Sequence, residues 1–338
     1  MEVHCEGCAG CCMDWRSLLE TESDGTAHRR RHTSVDTAAG TARAPLDDDA
    51  NFVPLTRDEV RAFLESGMAP ALTPRFWHAR DADEGVAVDG YTVAAVAGRP
   101  VFFVGLRKPP KPVAPFGRAE PTWLPTCVFL DPATLQCRIH GDDRFPDECG
   151  VYPEHNLRLE QETECERVES AFGGERLLES GTDDDLDGLL LGLQALGAKL
   201  FAHPRPKALE GIVDRAASGR LTAEDRAECL AVAAASSPGT LATSDHHYEQ
   251  GKARALEAAV GEYETVEGGG DDGRGGDGEP DDGRDADDAD SEGSWVGPAI
   301  REWYRRRDAA ETVPPTTIAS NVEADRGAPE TPGWDVLE

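Results

Sequence analysis

Lysine is scarce in this chain of 338 residues. Only five of the 34 basic residues are lysines, whereas 65 residues are acidic, so the net charge is −31. One Asp- and Gly-rich segment, residues 265–293, contributes −10, and the remaining excess is spread over the rest of the chain. Such a surface indicates adaptation to high salt, where screening tolerates dense like charge. It would repel phosphate backbones, so we expect no nucleic-acid partner.

Long apolar runs are absent as well. The longest candidate, residues 186–201, is interrupted by Gln194 and Lys199 and falls short of the roughly 18–20 apolar residues that cross a bilayer. We therefore expect no membrane partner. Cys5 lies so close to the start of the sequence that a signal peptide would have no room before it. The expected location is the cytoplasm, where thiols usually stay reduced.

Cysteine, in contrast, is concentrated in two blocks. Four cysteines follow the spacing C-x2-C-x2-C-C near the start of the sequence, and four more lie between residues 127 and 165. Two thiolates separated by two residues in a tight turn can reach one ion, and Gly7 and Gly10 let backbone amides approach sulfur. The pattern predicts a zinc site or an iron–sulfur cluster, possible forms including [4Fe-4S], because both take four thiolates. The candidate ligands are Cys5, Cys8, Cys11, Cys12, Cys127, Cys137, Cys149 and Cys165.

The spacing leaves the number of centres open. Neighbouring side chains in an extended segment point to opposite sides, so Cys11 and Cys12 are expected to serve different partners. The eight cysteines could fill two four-thiolate sites, or three or four could hold one cluster while the others close a second site or stay free. Disulfides and a metal-free thiol relay are disfavoured by the reducing compartment and by the lack of a βαβ context. Cys229, in a predicted helix, is interpreted as an inert core thiol.

Several polar residues near these cysteines could assist them. Imidazole is a good zinc ligand, but with enough thiols available we expect His4, His140 and His155 to lie beside the ligands or at the surface. Arg144 either donates hydrogen bonds to thiolates or forms a surface ion pair.

Further short motifs accompany the cysteines in a fixed order. They are V-P-L-T-R-D-E at 53–59, C-V-F-L at 127–130, C-R-I-H at 137–140, R-F-P-D-E-C at 144–149, and Tyr152-Pro153. Together with C-E-G-C-A-G-C-C at 5–12, they resemble the YkgJ-type zinc- or iron-chelating family, named for its CxxCxxCC cluster. The chain departs from that family's pattern at His140, which replaces a Tyr, and at Phe145, which is inserted between Arg and Pro. The stretch from Met13 to Phe52 is also longer.

The resemblance implies metal chelation without a settled activity. The related flagellin lysine N-methylases share the cysteine cluster, which implies an iron–sulfur enzyme, such as a lysine N-methylase-like transferase, as one alternative. Metal storage or delivery is another. We find no strong methyl-donor motif, since Gly173-Gly174 is a lone glycine pair typical of a turn.

The whole chain predicts an α+β fold. We expect an irregular, metal-stapled domain over residues 1–170, a helical region over 171–264, a disordered acidic linker over 265–294, and a short amphipathic helix with a loose tail over 295–338. The amphipathic piece, Trp295 to Arg307, is expected to pack on its own domain.

Individual elements follow from local signals. Thr56 and Glu59 form a capping box that predicts a helix start. Residues 86–106 predict a two-stranded hairpin that turns at Gly98-Arg99-Pro100, and the proline-rich residues 107–121 predict an extended connector. Helices are predicted at 184–202, 206–218, 222–236 and 246–263.

Overall fold

The computed structural model describes residues 2–19, 44–158, 161–178, 196–263 and 294–334. The strands in these residues are β1 Leu72–Phe76, β2 Gly85–Val88, β3 Tyr91–Val96, β4 Arg99–Leu106, β5 Pro110–Val113, β6 Thr122–Pro125 and β7 Phe201–Ala202. The helices are α1 Arg57–Glu65, α2 Asp147–Val151, α3 Glu154–Arg158, α4 Glu164–Phe172, α5 Leu196–Lys199, α6 Ile212–Ala217, α7 Ala223–Ala235, α8 Asp245–Tyr263, α9 Val296–Ala309 and α10 Thr316–Ala324. Helices coexist with antiparallel sheets, so the expected α+β class is confirmed.

The main sheet is organised around β4, which pairs antiparallel with β1, β3 and β7. The prediction of a two-stranded hairpin over 86–106 was wrong in detail, because its first arm is itself a hairpin of β2 and β3. Asp89 and Gly90 have φ of 51° and 83°, and Ala97 and Gly98 have φ of 50° and 74°. Two consecutive positive φ values are typical of the tight turns that join antiparallel strands. The second turn therefore lies at Ala97-Gly98, and Arg99 already belongs to β4.

Residues 110–113 of the proline-rich stretch form the paired strand β5, which corrects the expectation that residues 107–121 are an extended connector rather than a helix or strand. In the two-stranded sheet of β5 and β6, Lys111 lies opposite Leu124 and Val113 lies opposite Thr122. Pro110 and Pro112 cannot donate hydrogen bonds, but each strand of a two-stranded sheet is an edge strand, where proline is tolerated.

The predicted helix starts at α1 and α7 are confirmed. Thr56 with Glu59, and Thr222 with Asp225, form reciprocal capping boxes. The prediction over 206–218 was wrong as one helix, since Gly211, with φ of 77°, separates a 3-10 turn from α6.

Two further predictions fall partly outside the described residues. Of the predicted helix 184–202, residues 184–195 lie outside them, and its end is wrong because residues 201 and 202 form β7. The acidic linker at 265–294 lies outside them except for Ser294. None of the helices that the structure describes combines the length and apolar character needed to cross a membrane.

One continuous hydrophobic core extends from the cysteine-rich segments to the helices. The Phe63 ring of α1 stacks on the Phe129 ring, with centroids 5.6 Å apart. Trp295 packs edge-on against Phe129, with centroids 6.1 Å apart. Because Val296, Ile300 and neighbouring side chains of α9 are buried as well, the expectation that this amphipathic helix packs on its own domain is confirmed.

The expectation of a loose tail after residue 307 was wrong for residues up to 334. The helix α10 lies against β5 and α9, and its Glu323 is fully buried between Lys111 and Arg138. This carboxylate is hard to expose, because it compensates buried Lys111 and shares Arg138 with Asp131, and Lys111 would then lose that counter-charge.

The close approach of β4 to residues 52–54 gives a test of the fold. A Cβ on Gly105 would overlap the Val53 carbonyl oxygen and the Phe52 ring. We expect Gly105→Ala to lower the free energy of unfolding by about 1–3 kcal/mol through overpacking, measured by urea unfolding. Gly197→Ala, where no atom crowds the added Cβ, is the matched control. Equal stability of the two variants would contradict this packing.

Candidate metal centre

The first cysteine block folds as a tight turn. Cys8 N donates to Cys5 O at 3.0 Å, and Gly7 has a φ of 65°. A 3-10 turn over Gly10–Cys12 follows. Gly10 N lies 3.5 Å from Cys8 Sγ and donates to it, so the predicted approach of a backbone amide to sulfur occurs here.

A short antiparallel contact joins the first block to the second. Cys127 N donates to Cys12 O at 2.7 Å, and Asp14 N donates to Pro125 O at 2.8 Å. Met13 and Thr126 form the β-bridge between these hydrogen bonds. Two segments that are distant in the sequence are thereby held side by side, with a cysteine on each.

The other three cysteines come from separate elements. Cys137 forms a β-bridge with Leu130, Cys149 lies within α2, and Cys165 lies in the first turn of α4. The helix α4 packs directly on the first block, since a Cβ on Gly10 would come within 2.6 Å of the Val168 side chain. All eight candidate cysteines are therefore drawn towards one region.

Mutual electrostatic effects suggest two groups of four among the eight thiols, with Cys11 acting on members of both. The first cysteine set comprises Cys5, Cys8, Cys11 and Cys165. The second cysteine set comprises Cys12, Cys127, Cys137 and Cys149.

In the first cysteine set, the protein disfavours ionisation of Cys5, Cys11 and Cys165. Although Cys5 as a whole is exposed, burial of its thiol raises its pKa to about 12, and the charges of Cys11 and Cys8 add to this effect while Arg176 opposes it. Burial also raises the pKa of Cys165, with further contributions from Cys11, Cys5 and Cys8.

The second cysteine set shows the same behaviour. Burial raises the pKa of Cys137 to about 12, and the neighbouring Cys127 raises it further. Burial and the charges of Cys127, Cys11 and Cys137 place the pKa of Cys149 well above its usual value. The hydrogen bond with Cys11 lowers the pKa of Cys12, but burial and the other three thiols of the set outweigh it.

Cys11 and Cys12 lie where the two sets meet. Their sulfur atoms are 3.9 Å apart and share a hydrogen bond. This hydrogen bond is the largest influence that raises the pKa of Cys11, followed by burial and by the charges of Cys12, Cys8 and Glu164. The effect of Cys11 also reaches Cys127, Cys137 and Cys149, so the two sets are neighbours.

A cavity of about 1890 Å³ opens beside the thiols. Seven of the eight candidate cysteines line it, and Cys8 is buried next to it with 7% of its surface exposed. Tyr152, Glu164 and Arg167 line the same cavity. The thiols are therefore accessible to a solute from one side.

Glu164 is a site residue that the sequence reasoning missed. It accepts hydrogen bonds from Trp15 Nε1 at 2.5 Å and Asn51 Nδ2 at 3.2 Å, and its carboxylate pairs with Arg167 at 2.8 Å. Burial raises its pKa, although Arg167 and these hydrogen bonds oppose the shift. The capping box of Thr163 and Glu166 could have indicated it, since that box places Glu164 and Cys165 in the first turn of a helix.

The histidines and the arginine near the cysteines have different surroundings. His4 and His140 border the cavity, and the His140 ring packs on Phe145 with centroids 4.9 Å apart. The alternative that Arg144 donates to thiolates was wrong, because its guanidinium pairs with Asp142 at 2.6 Å. The hydrogen bond from Arg144 lowers the pKa of Asp142 to about 2.

Cys229 has no part in this region. Its side chain is fully buried in α7 as a member of the hydrophobic core, which confirms that it is a core thiol. Burial places its pKa well above the usual value.

The donor chemistry of both sets suits a soft metal centre, since each contains four thiols. In the part of the chain that the structure describes, no three His, Cys, Asp or Glu side chains are already gathered tightly enough to hold an ion. Binding of one centre by either set would therefore require its thiols to move closer together.

Comparison with known proteins gives one match. The sequence model of a family of unknown function, DUF7531, matches residues 1–335. No curated protein matches the chain, and no solved structure matches it. Because the matched range covers nearly all of its length, the chain belongs to the DUF7531 family.

Proposed function

We propose that this protein binds zinc or iron, either as ions or as an iron–sulfur cluster, through the first and second cysteine sets. The observation that carries this proposal is that seven of the eight candidate cysteines, from four separate parts of the chain, line one cavity, with Cys8 buried beside them. We assign the eight to two sets of four from their mutual electrostatic effects. The resemblance of the cysteine motifs to the YkgJ-type chelating family supports it.

The electrostatics of the region favour a bound cation. Each thiol must lose its proton to become a ligand, and gathering thiolates without a counter-charge is costly because like charges repel at short range. Lys111 and Lys108 lie near Cys127, Lys111 also lies near Cys137, and Arg176 lies near Cys5. These cations are fewer than eight thiolates would need, so a metal centre is the natural source of the missing positive charge.

The chemistry supplied would depend on the metal. A zinc ion would stabilise the irregular segments by cross-linking them, whereas an iron–sulfur cluster would add one-electron redox chemistry. In either case, the cysteines would hold the turn Cys5–Cys12 against α4, which carries Cys165, and against the segment after β6, which carries Cys127.

Catalysis is a second candidate function, favoured by the size of the cavity. Its volume of about 1890 Å³ exceeds what metal ligands alone require and is large enough for an organic substrate. An iron–sulfur transferase of the lysine N-methylase type would use this cavity for its substrate. A metal storage or delivery protein, the non-catalytic alternative, would use the same cavity to exchange its ions.

Metal analysis of protein purified without oxygen tests the binding proposal. If zinc is bound, we expect about two ions per chain and a colourless sample without sulfide. If a cluster is bound, we expect iron together with acid-labile sulfide and a brown sample. Cys229→Ala should leave the metal content unchanged. A wild-type sample that contains neither metal, even after reconstitution with Zn²⁺ or with iron and sulfide, would contradict the proposal.

Paired substitutions test the division into two sets. We expect Cys5→Ser with Cys8→Ser to empty the first set only, and Cys137→Ser with Cys149→Ser to empty the second set only, each leaving about half of the wild-type metal, because each centre loses two of its four ligands. Metal content and circular dichroism would be measured together. Loss of all metal in both double variants would indicate a single shared centre instead.

Cys12 can be tested alone, because it belongs to the second set although it adjoins Cys11. We expect Cys12→Ser to lose the metal that the second set holds, whereas the first set keeps its metal. The same elemental analysis applies, and full metal content in this variant would remove Cys12 from the ligands.

A further inference from the structure

The loop that carries two cysteines of the second set is covered by the C-terminal segment. This cysteine loop spans residues 127–138, with Cys127 at its start and Cys137 near its end. Its ends approach each other through the bridge between Leu130 and Cys137 and through Arg138 N, which donates to Phe129 O at 2.8 Å. The position of both thiols therefore depends on the conformation of one loop.

Residues 316–334, the C-terminal segment, follow this loop closely. Trp334 Nε1 donates to Thr134 O at 2.8 Å, and Gly333 N donates to Gln136 Oε1 at 2.9 Å. Arg138 Nη1 donates to Pro329 O at 2.6 Å. Trp334 also lines the cavity beside the thiols, so the segment forms part of the wall of the candidate site.

Glu323 of α10 connects the two ends of the cysteine loop. Its Oε1 lies 2.5 Å from Lys111 Nζ, and its Oε2 accepts from Arg138 Nε at 2.8 Å. Lys111 Nζ also donates to Val128 O at 2.7 Å and to Leu130 O at 2.8 Å. One carboxylate thus orients a cation that holds the start of the loop and a cation that belongs to its end.

Lys111, Glu323 and Arg138 are buried, so their charges must be compensated within the protein. Lys111 and Glu323 have no exposed surface, and Arg138 is 7% exposed. Trp303 Nε1 donates to Glu323 Oε1 at 3.1 Å and fixes the carboxylate from the side of α9. Removal of the charge on Glu323 would leave Lys111 without the carboxylate that compensates it, and Arg138 with Asp131 alone at 3.0 Å, in a dry environment where Lys111 would move or recruit water.

We propose that Glu323 is a positioning residue for the second cysteine set, and that the C-terminal segment thereby controls how Cys127 and Cys137 are presented. The part of this inference that concerns metal rests on the proposed function. The part that concerns thiol exposure does not, because the contacts are present in the chain itself. Among the described contacts of the Glu323 side chain, those with Lys111 and Arg138 bear on the loop that carries Cys127 and Cys137.

The experiment compares Glu323→Gln with Glu330→Gln in the full-length chain. Glu330 is an exposed residue of the same segment, so its substitution controls for the loss of one charge. In metal-free, reduced protein, alkylation with iodoacetamide is followed at each cysteine by mass spectrometry. We expect Glu323→Gln to raise the alkylation rates of Cys127 and Cys137 several-fold relative to Cys5 and Cys8, with no change in Glu330→Gln.

The metal-loaded protein gives a second readout. Loss of a group that hydrogen-bonds a metal ligand typically weakens a metal site about 10–100-fold. Glu323 acts one step further out, through Lys111 and Arg138, so we expect Glu323→Gln to release one half of the bound metal to a chelator several-fold faster and the other half at the wild-type rate. Unchanged alkylation ratios, or a uniform rise at all eight cysteines, would overturn the inference. A wild-type chain without metal would overturn the proposed function while the alkylation experiment still tested Glu323.

If Glu323→Gln does not fold, Ser320→Ala provides the same test with a smaller perturbation. Ser320 Oγ donates to Asp131 Oδ2 at 3.1 Å and accepts from Arg138 Nη2 at 3.2 Å. We expect a smaller rise in alkylation at the same two cysteines. An unchanged ratio in a folded Ser320→Ala protein would count against control by the C-terminal segment.

Discussion

The backbone hydrogen bond from Cys127 N to Cys12 O is 2.7 Å long and joins the two cysteine blocks. The neighbouring bridge of Met13 with Thr126 continues the contact and buries the Met13 side chain completely. Because backbone pairing fixes both segments, Cys12 and Cys127 have little freedom to separate. This contact therefore sets the position of Cys127 relative to the turn that carries Cys12.

Around that contact, the chain places several thiols close together in surroundings that disfavour their thiolate form. The thiols raise one another's pKa values, and Glu164 adds a carboxylate beside Cys11. An arrangement of this kind suits thiols that are neutral in the free chain and become ligands when a cation is supplied. The buried cations Lys111 and Arg138 are already matched by Glu323 and Asp131, so they contribute orientation more than free positive charge.

Local signals in the sequence were sufficient for part of the fold. The capping boxes at Thr56 and Thr222 were predictable because each box joins two residues that are only three positions apart in the sequence. The pairing of β5 with β6 could not be predicted. Proline is excluded from central strands but tolerated in edge strands, and the sequence does not show which of the two a strand will be. Glu323 could not be recognised from its neighbours, because its partners Lys111 and Arg138 become neighbours only through tertiary packing.

The candidate site was predictable to a similar extent. The cysteine spacing identified eight residues by chemistry, and the structure brings them to one region. The proposed division into two sets depends on where α4 and the cysteine loop dock, which spacing does not encode. Glu164 was overlooked because a single acidic residue in an acidic chain carries no signal of its own, whereas its burial against Trp15 marks it in three dimensions.

X-ray absorption spectroscopy of the metal in anaerobically prepared protein tests metal binding by the cysteine sets most directly. We predict a first coordination shell of about four sulfur atoms, at about 2.3 Å if the metal is zinc. A first shell made mainly of nitrogen and oxygen, in protein that retains all of its cysteines in reduced form, would contradict binding by these thiols.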